Sequence, residues 1–349
     1  MQATASISQS ALAHNLSAVR QSCSGSKIVS MVKADAYGHH LTLVDPIIDE
    51  SDLLAVSELS EAQKLREKTD KPILLLSGVY SQDELQSALA LDCHVVVHEK
   101  EQINLIAQTK QRIGVWIKID TGMHRLGLLA NEYHECIEAF KNNTLVDVEC
   151  VMSHFACADE IDHPTNESQL NEFNQLTDDS VKRSMANSAA ILSNKNALFD
   201  FVRPGIMLYG ISPFGTDESN LKPVMELSAP ILSIKTIQTG ESVGYGATWT
   251  ANKKTNIAII GIGYGDGYPR HAKNGTPVCI NGELCPLIGR VSMDLICVNI
   301  DSITAKVGDV VTLWGNEKLS AETVATWSDT IGYELVTGVS SRVSFNKVL

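Results

Sequence analysis

The stretch Lys27-Ile-Val-Ser-Met-Val-Lys-Ala-Asp-Ala-Tyr-Gly-His39 is the starting point for interpreting the fold. Its first half, Ile28 to Val32, is a short apolar run with β-branched residues, which predicts a buried strand. Lys33 stands where this strand ends, although burying an ammonium group costs free energy. One interpretation is that Lys33 reaches solvent or pairs with Asp35. The other is a Schiff-base lysine, because burial lowers the pKa of a lysine and the neutral amine attacks an aldehyde.

Length and composition restrict the class of protein. The chain has 349 residues, of which 44% are hydrophobic, which suits one large domain and a second one. The net charge of −13 and the absence of a Lys/Arg cluster in the sequence make nucleic acids and anionic membranes poor partners. The sequence has no apolar run of membrane-spanning length and no secretory signal pattern at its N-terminus. These features predict a soluble, cytoplasmic protein.

The eight cysteines are expected to be mostly reduced and buried. Their even number permits disulfides, but a chain of this size without a secretory signal argues against them. None of them forms a Cys-x-x-Cys pair, and their spacings match no zinc pattern. We therefore expect no metal site.

Apolar, strand-like runs alternate with amphipathic helical stretches through about the first 210 residues. This order predicts a parallel (β/α)8 barrel of the TIM type. A doubly wound open sheet is the alternative, but it would need a glycine-rich nucleotide fingerprint after the first strand. The predicted strands are Lys27–Lys33, Leu53–Ser57, Pro72–Ser77, Cys93–Val97, Gly114–Asp120, Asp147–His154, Lys182–Asn187 and Phe201–Ile206.

The pattern changes near Lys222, beyond which short alternating segments are separated by Gly, Asn and Asp. We therefore predict two domains: a barrel in residues 1–224, and a mainly β domain in residues 225–349. One helix is predicted near Ser320–Ile331. The predicted strands of the second domain are Ile231–Thr239, Thr255–Ile262, Thr276–Ile280, Leu295–Ile300 and Asp309–Trp314.

Unusual polar residues fall at the carboxyl ends of the predicted barrel strands, where the active sites of such barrels lie. The hydroxyl of Ser188 and the peptide N–H groups of Gly205 and Ile206 are expected to face an anion. A lysine at one strand end and a phosphate site at two others predict a site for pyridoxal phosphate. The residues at these strand ends are Lys33, Arg125, His154, Asn187, Ser188 and Arg203.

Each of these residues also has a simpler interpretation. Arg125 and Arg203 could be surface ion-pair partners, and His154 could be a core histidine with its hydrogen bonds satisfied. Ser188 could be a helix N-cap. Their shared position at one rim of the predicted barrel makes a joint coincidence a poor explanation.

Several longer motifs resemble those of bacterial alanine racemases, in the same order over nearly the whole chain. The resemblance implies a homodimer in which each subunit has a barrel and a β domain. The motifs are Val32-Lys-Ala-Asp-Ala-Tyr-Gly-His39, Lys118-Ile-Asp-Thr-Gly-Met-His-Arg125, Asn187-Ser-Ala-Ala190, Val202-Arg-Pro-Gly-Ile206, Leu208-Tyr-Gly210, Gly244-Tyr-Gly-Ala-Thr248, Ile262-Gly-Tyr-Gly-Asp-Gly-Tyr-Pro-Arg270 and Gly289-Arg-Val-Ser-Met-Asp294.

The resemblance implies a role for each matching residue. Lys33 would hold pyridoxal 5′-phosphate and act as one base, and Tyr245 would be the opposite base, reaching into the partner subunit's site. Arg203 would hydrogen-bond the pyridine nitrogen, and His154 would lie near the ring. The remaining implied residues are Tyr37, Ser188, Gly205 and Ile206 for the phosphate, Arg125 and the backbone at Met293 for the carboxylate of alanine, Tyr264 for the entrance, and Lys118 as a carbamylated lysine beside Arg125.

Two positions depart from the family pattern: His40 stands where the family usually has glycine, and Ser341 stands where many members have tyrosine. Three other functions remain open from the sequence. They are a racemase of broader specificity, a decarboxylase of the same architecture, and a barrel that only carries the cofactor. Arg203 argues against the decarboxylase, which usually has a carboxylate at the pyridine nitrogen. The second domain argues against the carrier. The family usually makes D-alanine for peptidoglycan.

Overall fold

Eight parallel strands close into a barrel, as the alternation of strands and helices predicts. Each strand pairs with the next, and the last pairs with the first between Lys27 and Phe201. Most of the strands are rich in apolar residues because helices cover a parallel barrel on its outside, and the two-residue strand β8 is the exception. They are β2 (Lys27–Met31), β3 (Leu53–Val56), β4 (Ile73–Leu75), β5 (Cys93–Val97), β6 (Ile113–Lys118), β7 (Val146–Met152), β8 (Arg183–Ser184) and β9 (Phe201–Val202).

The structure, a computed structural model, describes residues 2–23, 25–216 and 220–349. The described residues form two compact units. The barrel unit comprises Leu16–Ala36 and Asp45–Leu208, and the sheet unit comprises Met1–Asn15, Tyr37–Val44 and Tyr209–Leu349. The predicted domain ends at residues 224 and 225 remain a prediction.

Helices follow the barrel strands, and side chains cap the first turns of several of them. Ser81 caps one of these helices by accepting a hydrogen bond from the Glu84 N–H at 3.2 Å. The helices from residue 45 onward in the barrel unit are α3 (Asp45–Glu50), α4 (Leu59–Arg66), α5 (Gln82–Ala90), α6 (Lys100–Ala107), α7 (Ala130–Phe140), α8 (Pro164–Leu176) and α9 (Ser188–Ser193). Among the described residues, no helix has both the length and the apolar character needed to span a bilayer.

The sheet unit contains an eight-stranded sheet in the order β13-β16-β15-β14-β17-β10-β1-β18. The long strand β10 also pairs with β13. Six strands, β10 and β13 to β17, therefore form a closed ring of paired strands. A two-stranded hairpin, β11 with β12, lies apart from this sheet. The strands are β1 (Thr4–Ser8), β10 (Met225–Ile237), β11 (Ser242–Val243), β12 (Trp249–Thr250), β13 (Thr255–Ile260), β14 (Pro277–Ile280), β15 (Glu283–Ile288), β16 (Ile296–Asn299), β17 (Val310–Trp314) and β18 (Ser344–Val348).

The remaining helices lie near the N-terminus and in the last third of the chain. Helix α1 is Gln9–Ser22. The predicted helix near Ser320–Ile331 is α10 (Ala321–Trp327), and α11 (Gly332–Thr337), which was not predicted, follows it. Single 3-10 turns occupy Leu41–Leu43, Lys195–Ala197, Ile206–Tyr209, Tyr245–Ala247 and Tyr264–Asp266.

Candidate active site

Lys33 begins a left-handed helical turn, α2 (Lys33–Tyr37), two residues after β2 ends at Met31. The φ angles of the four residues from Ala34 to Tyr37 lie between 51° and 57°. Left-handed helical geometry costs roughly 1–2 kcal/mol for each residue that carries a Cβ. Backbone strain of this size persists only where the surrounding structure fixes the conformation, which is typical of functional sites.

The Lys33 side chain is partly buried, and its pKa lies below the ordinary value for lysine. Burial is the main cause, because it disfavours the charged form, and the positive charge of Arg125 adds to it. Glu61 opposes the shift with its negative charge. The neutral amine is therefore more populated here than on an exposed lysine, which is the state that attacks an aldehyde.

Lys118, the last residue of β6, is a second lysine with a lowered pKa. Its side chain is buried, and its pKa falls to about 8 because of that burial and of the positive charges of Arg203 and Arg125. Asp120 acts in the opposite direction. A neutral amine is required for reaction with carbon dioxide, so this environment suits the carbamate that the resemblance implies.

Arg203 follows β9 and is only 4% exposed. Its guanidinium donates to the Ser184 hydroxyl at 2.6 Å, to the carbonyl of Ser153, and to Nδ1 of His154 at 3.3 Å. Burial lowers the pKa of Arg203 to about 10, so the side chain remains protonated at neutral pH. Arg203 is thus a buried cation fixed to the barrel wall, which excludes the surface ion-pair interpretation.

His154 lies just after β7 and accepts the hydrogen bond from Arg203 through Nδ1. Burial, and then the charge of Arg203, lower its pKa well below the ordinary value for histidine. His154 is therefore neutral at physiological pH, and since Nδ1 accepts a hydrogen bond, the ring proton belongs on Nε2.

The Ser188 hydroxyl is buried at the first residue of α9, whereas Asn187 provides the N-cap by accepting from the Ala190 N–H at 3.1 Å. The hydroxyl accepts from the Gly205 N–H at 2.9 Å. The Gly205 N–H thus already has an acceptor in the Ser188 hydroxyl, and the role of Gly205 at the phosphate stays a prediction. Ile206 begins a 3-10 turn, and the first N–H groups of a helical turn have no acceptor within it.

Arg125 lies in the exposed loop after β6. One carboxylate oxygen of Asp120 accepts from the N–H groups of Gly122, Met123 and His124, at 2.9 to 3.1 Å, and so folds the loop into a tight turn. Gly127 then returns the chain with a φ of 139°, where a Cβ would lie 2.5 Å from the Asp120 nitrogen. This turn fixes the backbone position of Arg125 in the loop after β6.

Two further side chains of the barrel unit, Glu61 and Gln169, support these residues and were not predicted from the sequence. Glu61 accepts from the Ala34 N–H at 2.6 Å. Gln169, which is 1% exposed, donates to the His154 carbonyl at 3.1 Å and accepts from the Ala156 N–H at 2.9 Å. Both lie on helices, and a single polar residue on an amphipathic helix gives no signal that separates it from a solvent-facing one.

Tyr37 belongs to the sheet unit, where its ring stacks on Tyr209 with 5.1 Å between the ring centroids. The ring of Tyr333 also lies near the ring of Tyr37, with 6.3 Å between the ring centroids. Burial raises the pKa of Tyr37 to about 12. The phenol is therefore neutral and acts as a hydrogen-bond donor, which suits contact with an anion.

Tyr245 begins a tight turn between β11 and β12, and it is 73% exposed. The preceding Gly244 has a φ of 72°, a conformation that favours glycine. A phenol presented this openly on a two-stranded hairpin is unusual, because large aromatic side chains normally pack against their own chain.

Tyr264 and Met293 are brought together by two backbone hydrogen bonds. Tyr264 N–H donates to the Ser292 carbonyl at 3.0 Å, and Gly265 N–H donates to the Met293 carbonyl at 2.8 Å. Gly263 permits this approach, since a Cβ there would lie 2.3 Å from the Ser292 oxygen. The side chains of Tyr264 and Met293 are 40% and 51% exposed.

His40 shows why glycine is usual at its position in the family. Its φ is 67°, so a residue with a Cβ adopts the left-handed region here. Its ring contacts Phe345, with 5.7 Å between the centroids, and its Nδ1 lies 2.9 Å from the Thr42 hydroxyl. These contacts accompany a backbone conformation that glycine would adopt without strain.

The donor set of the barrel unit fits pyridoxal phosphate. Lys33 provides an amine shifted toward its neutral form, Arg203 a buried donor, and Ser188 a buried hydroxyl. A parallel barrel with such a lysine after its first strand defines a class of pyridoxal-phosphate-dependent enzyme.

Comparison with known proteins identifies the family. The family models "Alanine racemase, N-terminal domain" and "Alanine racemase, C-terminal domain" match residues 7–213 and 224–346. The chain belongs to the alanine racemase family. It is 68% identical to an alanine racemase of Vesicomyosocius okutanii over 340 residues, 97% of each chain. It is 44% identical to that of Actinobacillus succinogenes over 350 residues, 98% of each chain.

Solved structures give the same result. The alanine racemase from Acinetobacter baumannii superimposes with a TM-score of 0.95 at 42% identity, covering 99% of each chain. The alanine racemase from Bartonella henselae, solved with covalently bound pyridoxal phosphate, has a TM-score of 0.91 at 30% identity and covers 100% of each chain. The predicted barrel followed by a mainly β domain is therefore confirmed.

Proposed function

We propose that this chain interconverts L-alanine and D-alanine with pyridoxal 5′-phosphate as its cofactor. The observation that carries the proposal is Lys33, a lysine with a lowered pKa that begins a left-handed turn in a chain of the alanine racemase family. When bound, the cofactor withdraws electrons from the α-carbon of the amino acid. The protein then has to remove a proton from that carbon and return one on the opposite side.

Two bases divide this task between them. Lys33 holds the cofactor and serves one face of the α-carbon, and Tyr245 serves the other face. A phenol acts as a base only where a nearby cation or hydrogen-bond donor stabilises the phenolate. The hydrogen-bonded pair of Arg203 and His154 is the candidate donor, because the neutral imidazole carries its proton on Nε2 while Nδ1 accepts from Arg203.

The cofactor and the substrate use separate sets of side chains. Arg125 and the backbone at Met293 bind the substrate carboxylate, Tyr264 narrows the entrance, and carbamylated Lys118 positions Arg125 through its negative charge. The residues that hold the cofactor are Lys33, Tyr37, His154, Ser188, Arg203, Gly205 and Ile206. For Gly205 the contact is indirect, since its N–H donates to Ser188.

The enzyme works as a homodimer in the cytoplasm, where it supplies D-alanine for peptidoglycan. The exposure of Tyr245 and Met293 supports the dimer, because each would be covered in the partner's active site. The chain is organised as domains 1–224 and 225–349.

The test is incubation of the purified protein with pyridoxal phosphate and L-alanine in deuterated water. Loss of optical activity together with deuterium at the α-carbon is the expected result. Deuterium without inversion would mean that one base works and the opposite one does not. The absence of both signals would contradict alanine as the substrate, and a panel of other amino acids would then separate a broad racemase from a cofactor carrier. Release of carbon dioxide would identify a decarboxylase.

A further inference from the structure

The carboxylate of Glu61, the third residue of α4, joins the ends of two neighbouring barrel strands. One oxygen accepts from the Ala34 N–H, which follows β2, at 2.6 Å. The other accepts from the Ser57 and Glu58 N–H groups, which follow β3, at 2.9 and 3.1 Å. One partly buried side chain thus serves three main-chain donors at the edge of the barrel where the active site lies.

These bonds fix the backbone on the C-terminal side of Lys33. On its N-terminal side, the Val32 N–H donates to the Ala55 carbonyl of β3 at 2.9 Å. The main chain is therefore attached to the second barrel strand on both sides of Lys33, directly at Val32 and through Glu61 at Ala34. The strained left-handed turn begins immediately afterwards. This attachment therefore fixes the position of the Lys33 Cα, from which the side chain extends.

The chemistry of the three donors requires a carboxylate. An ionised carboxylate accepts at both oxygens, whereas a glutamine has one accepting oxygen and an NH₂ group that donates. Glu61→Gln would therefore place N–H groups against either Ala34 or the Ser57 and Glu58 pair. An aspartate keeps both oxygens, but it is one methylene shorter and cannot reach both strand ends.

We propose that Glu61 is a positioning residue that holds the left-handed turn so that the Lys33 amine meets the aldehyde of the cofactor. The proposal rests on the proposed function, since it assumes a covalent bond between Lys33 and pyridoxal phosphate. Glu61 does not touch the reacting atoms in this role. It acts through the Ala34 peptide, and its charge also moderates the fall in the pKa of Lys33.

The test compares the binding of two cofactor forms to Glu61→Gln. Pyridoxal 5′-phosphate bonds covalently to Lys33, whereas pyridoxamine 5′-phosphate has no aldehyde and binds without that bond. We expect the apparent dissociation constant for pyridoxal phosphate to rise at least about tenfold, because misplacing a reacting group by a fraction of an ångström is costly. The dissociation constant for pyridoxamine phosphate should change by less than about twofold. Borohydride trapping of the cofactor on Lys33 should slow in parallel.

Three variants complete the experiment. Glu67→Gln removes the same charge from an exposed site at the end of the same helix and should behave as wild type. Lys33→Ala gives the affinity for pyridoxal phosphate without a covalent bond. Glu61→Asp should weaken pyridoxal phosphate selectively, and it replaces Glu61→Gln if that variant does not fold.

Each outcome decides the proposal. Selective weakening of pyridoxal phosphate in the Glu61 variants supports it. Affinities and trapping rates equal to those of Glu67→Gln would overturn it, and so would an equal loss of both cofactor forms, which indicates general unfolding. If wild type forms no borohydride-stable bond at Lys33, the proposed function itself fails and the role of Glu61 fails with it.

Discussion

Arg203 remains a cation although the barrel buries it, because a pKa of about 10 is still well above neutral pH. Such a group does not readily give a proton to a pyridine nitrogen. In the proposed function, a cofactor held beside Arg203 would remain a weaker electron sink, which would limit protonation at the wrong carbon. The hydrogen bonds to Ser184 and Ser153 hold the guanidinium in this position.

We predict that Arg203→Glu produces a new by-product. A carboxyl group at this position supplies the proton that Arg203 withholds, and stronger electron withdrawal favours transamination. Pyruvate should form from alanine while racemisation slows, and a coupled lactate dehydrogenase assay measures the pyruvate against wild type. Arg203→Gln supplies no acidic proton and should form no pyruvate. A pyruvate-free Arg203→Glu enzyme with bound cofactor would contradict the prediction.

Lys118 should make the stability of the protein depend on alkaline pH. In the unfolded chain this lysine keeps its proton up to about pH 10.5, but in the folded protein only up to about pH 8. The unfolded state therefore binds more protons between these values, so the free energy of unfolding rises with pH across this window. Below about pH 8 the buried Lys118 amine is protonated in the folded protein, and the cost of burying this charge lowers the free energy of unfolding.

The check is urea denaturation from about pH 7 to 10 in bicarbonate-free buffer, which avoids carbamylation. Lys118→Met should reduce the pH dependence of the free energy of unfolding and be more stable than wild type at about pH 7. The exposed Lys110→Met is the control and should keep the wild-type slope. Equal slopes in wild type and Lys118→Met would refute the prediction.

At the scale of single elements, the left-handed turn after β2 departs most clearly from the backbone conformations that residues with a Cβ prefer. Ala34 is exposed, so a substitution there tests the backbone and not the core. Ala34→Gly should raise the free energy of unfolding by up to about 1 kcal/mol, because glycine adopts positive φ without strain. Ala34→Val should lower it by about 1–2 kcal/mol, since a β-branched residue strongly disfavours this region.

Equilibrium denaturation of the two Ala34 variants provides the comparison. The contrast is Ala139, an exposed residue of the right-handed helix α7. Ala139→Gly should lower the free energy of unfolding by up to about 1 kcal/mol, because glycine is less favourable than alanine in such a helix. If Ala34→Gly destabilises as Ala139→Gly does, the left-handed geometry is not maintained in solution.

The elements that the sequence predicted best are those buried on both faces. Most of the barrel strands are rich in apolar residues, the exception being β8 (Arg183–Ser184), and the structure places a strand in each predicted segment. In the eight-stranded sheet, β1, β15 and β18 were missed. β1 alternates polar and buried apolar residues, but it is only five residues long and its residues are mostly small, so its signal is weak. β15 contains Pro286, and β18 is a largely exposed strand at the edge of the sheet, so neither has the alternating apolar pattern that marks a half-buried strand.

The site was predictable to a similar extent. Lys33, His154 and Arg203 stand out because charged or ionisable residues at buried strand ends are rare, and the family motifs added Tyr245 and Met293. Glu61 could not be predicted, because its function depends on hydrogen bonds to the backbone of another strand. The donors are backbone N–H groups, so the residue types at those positions do not reveal these contacts.

At the scale of the whole molecule, the proposed dimer makes a specific prediction for mixed subunits. Lys33→Ala and Tyr245→Phe should each be nearly inactive, with Tyr245→Phe still binding the cofactor. After equal amounts are mixed and allowed to exchange subunits, about half of the dimers are hybrids with one intact and one doubly mutated site. Racemase activity should recover to about a quarter of the wild-type value.

The control is each variant exchanged with itself, which should remain inactive. Recovery requires that Tyr245 serves the partner's site, because a site built from one chain would be damaged in both kinds of subunit. No recovery, with subunit exchange verified by mass spectrometry, would place Lys33 and Tyr245 in the same subunit's site.

Strand β1 pairs in parallel with β18 and antiparallel with β10, so that one of the earliest segments of the chain lies between two later ones in the sheet. A ribosome makes Ser8 long before Ser344, and at about 5–20 residues per second the interval is tens of seconds. The whole barrel sequence emerges before either partner strand of β1 is made. In nascent chains the barrel should therefore resist proteolysis first, and the N-terminal strand only after β10 has emerged, with its second edge still unpaired until β18 is made.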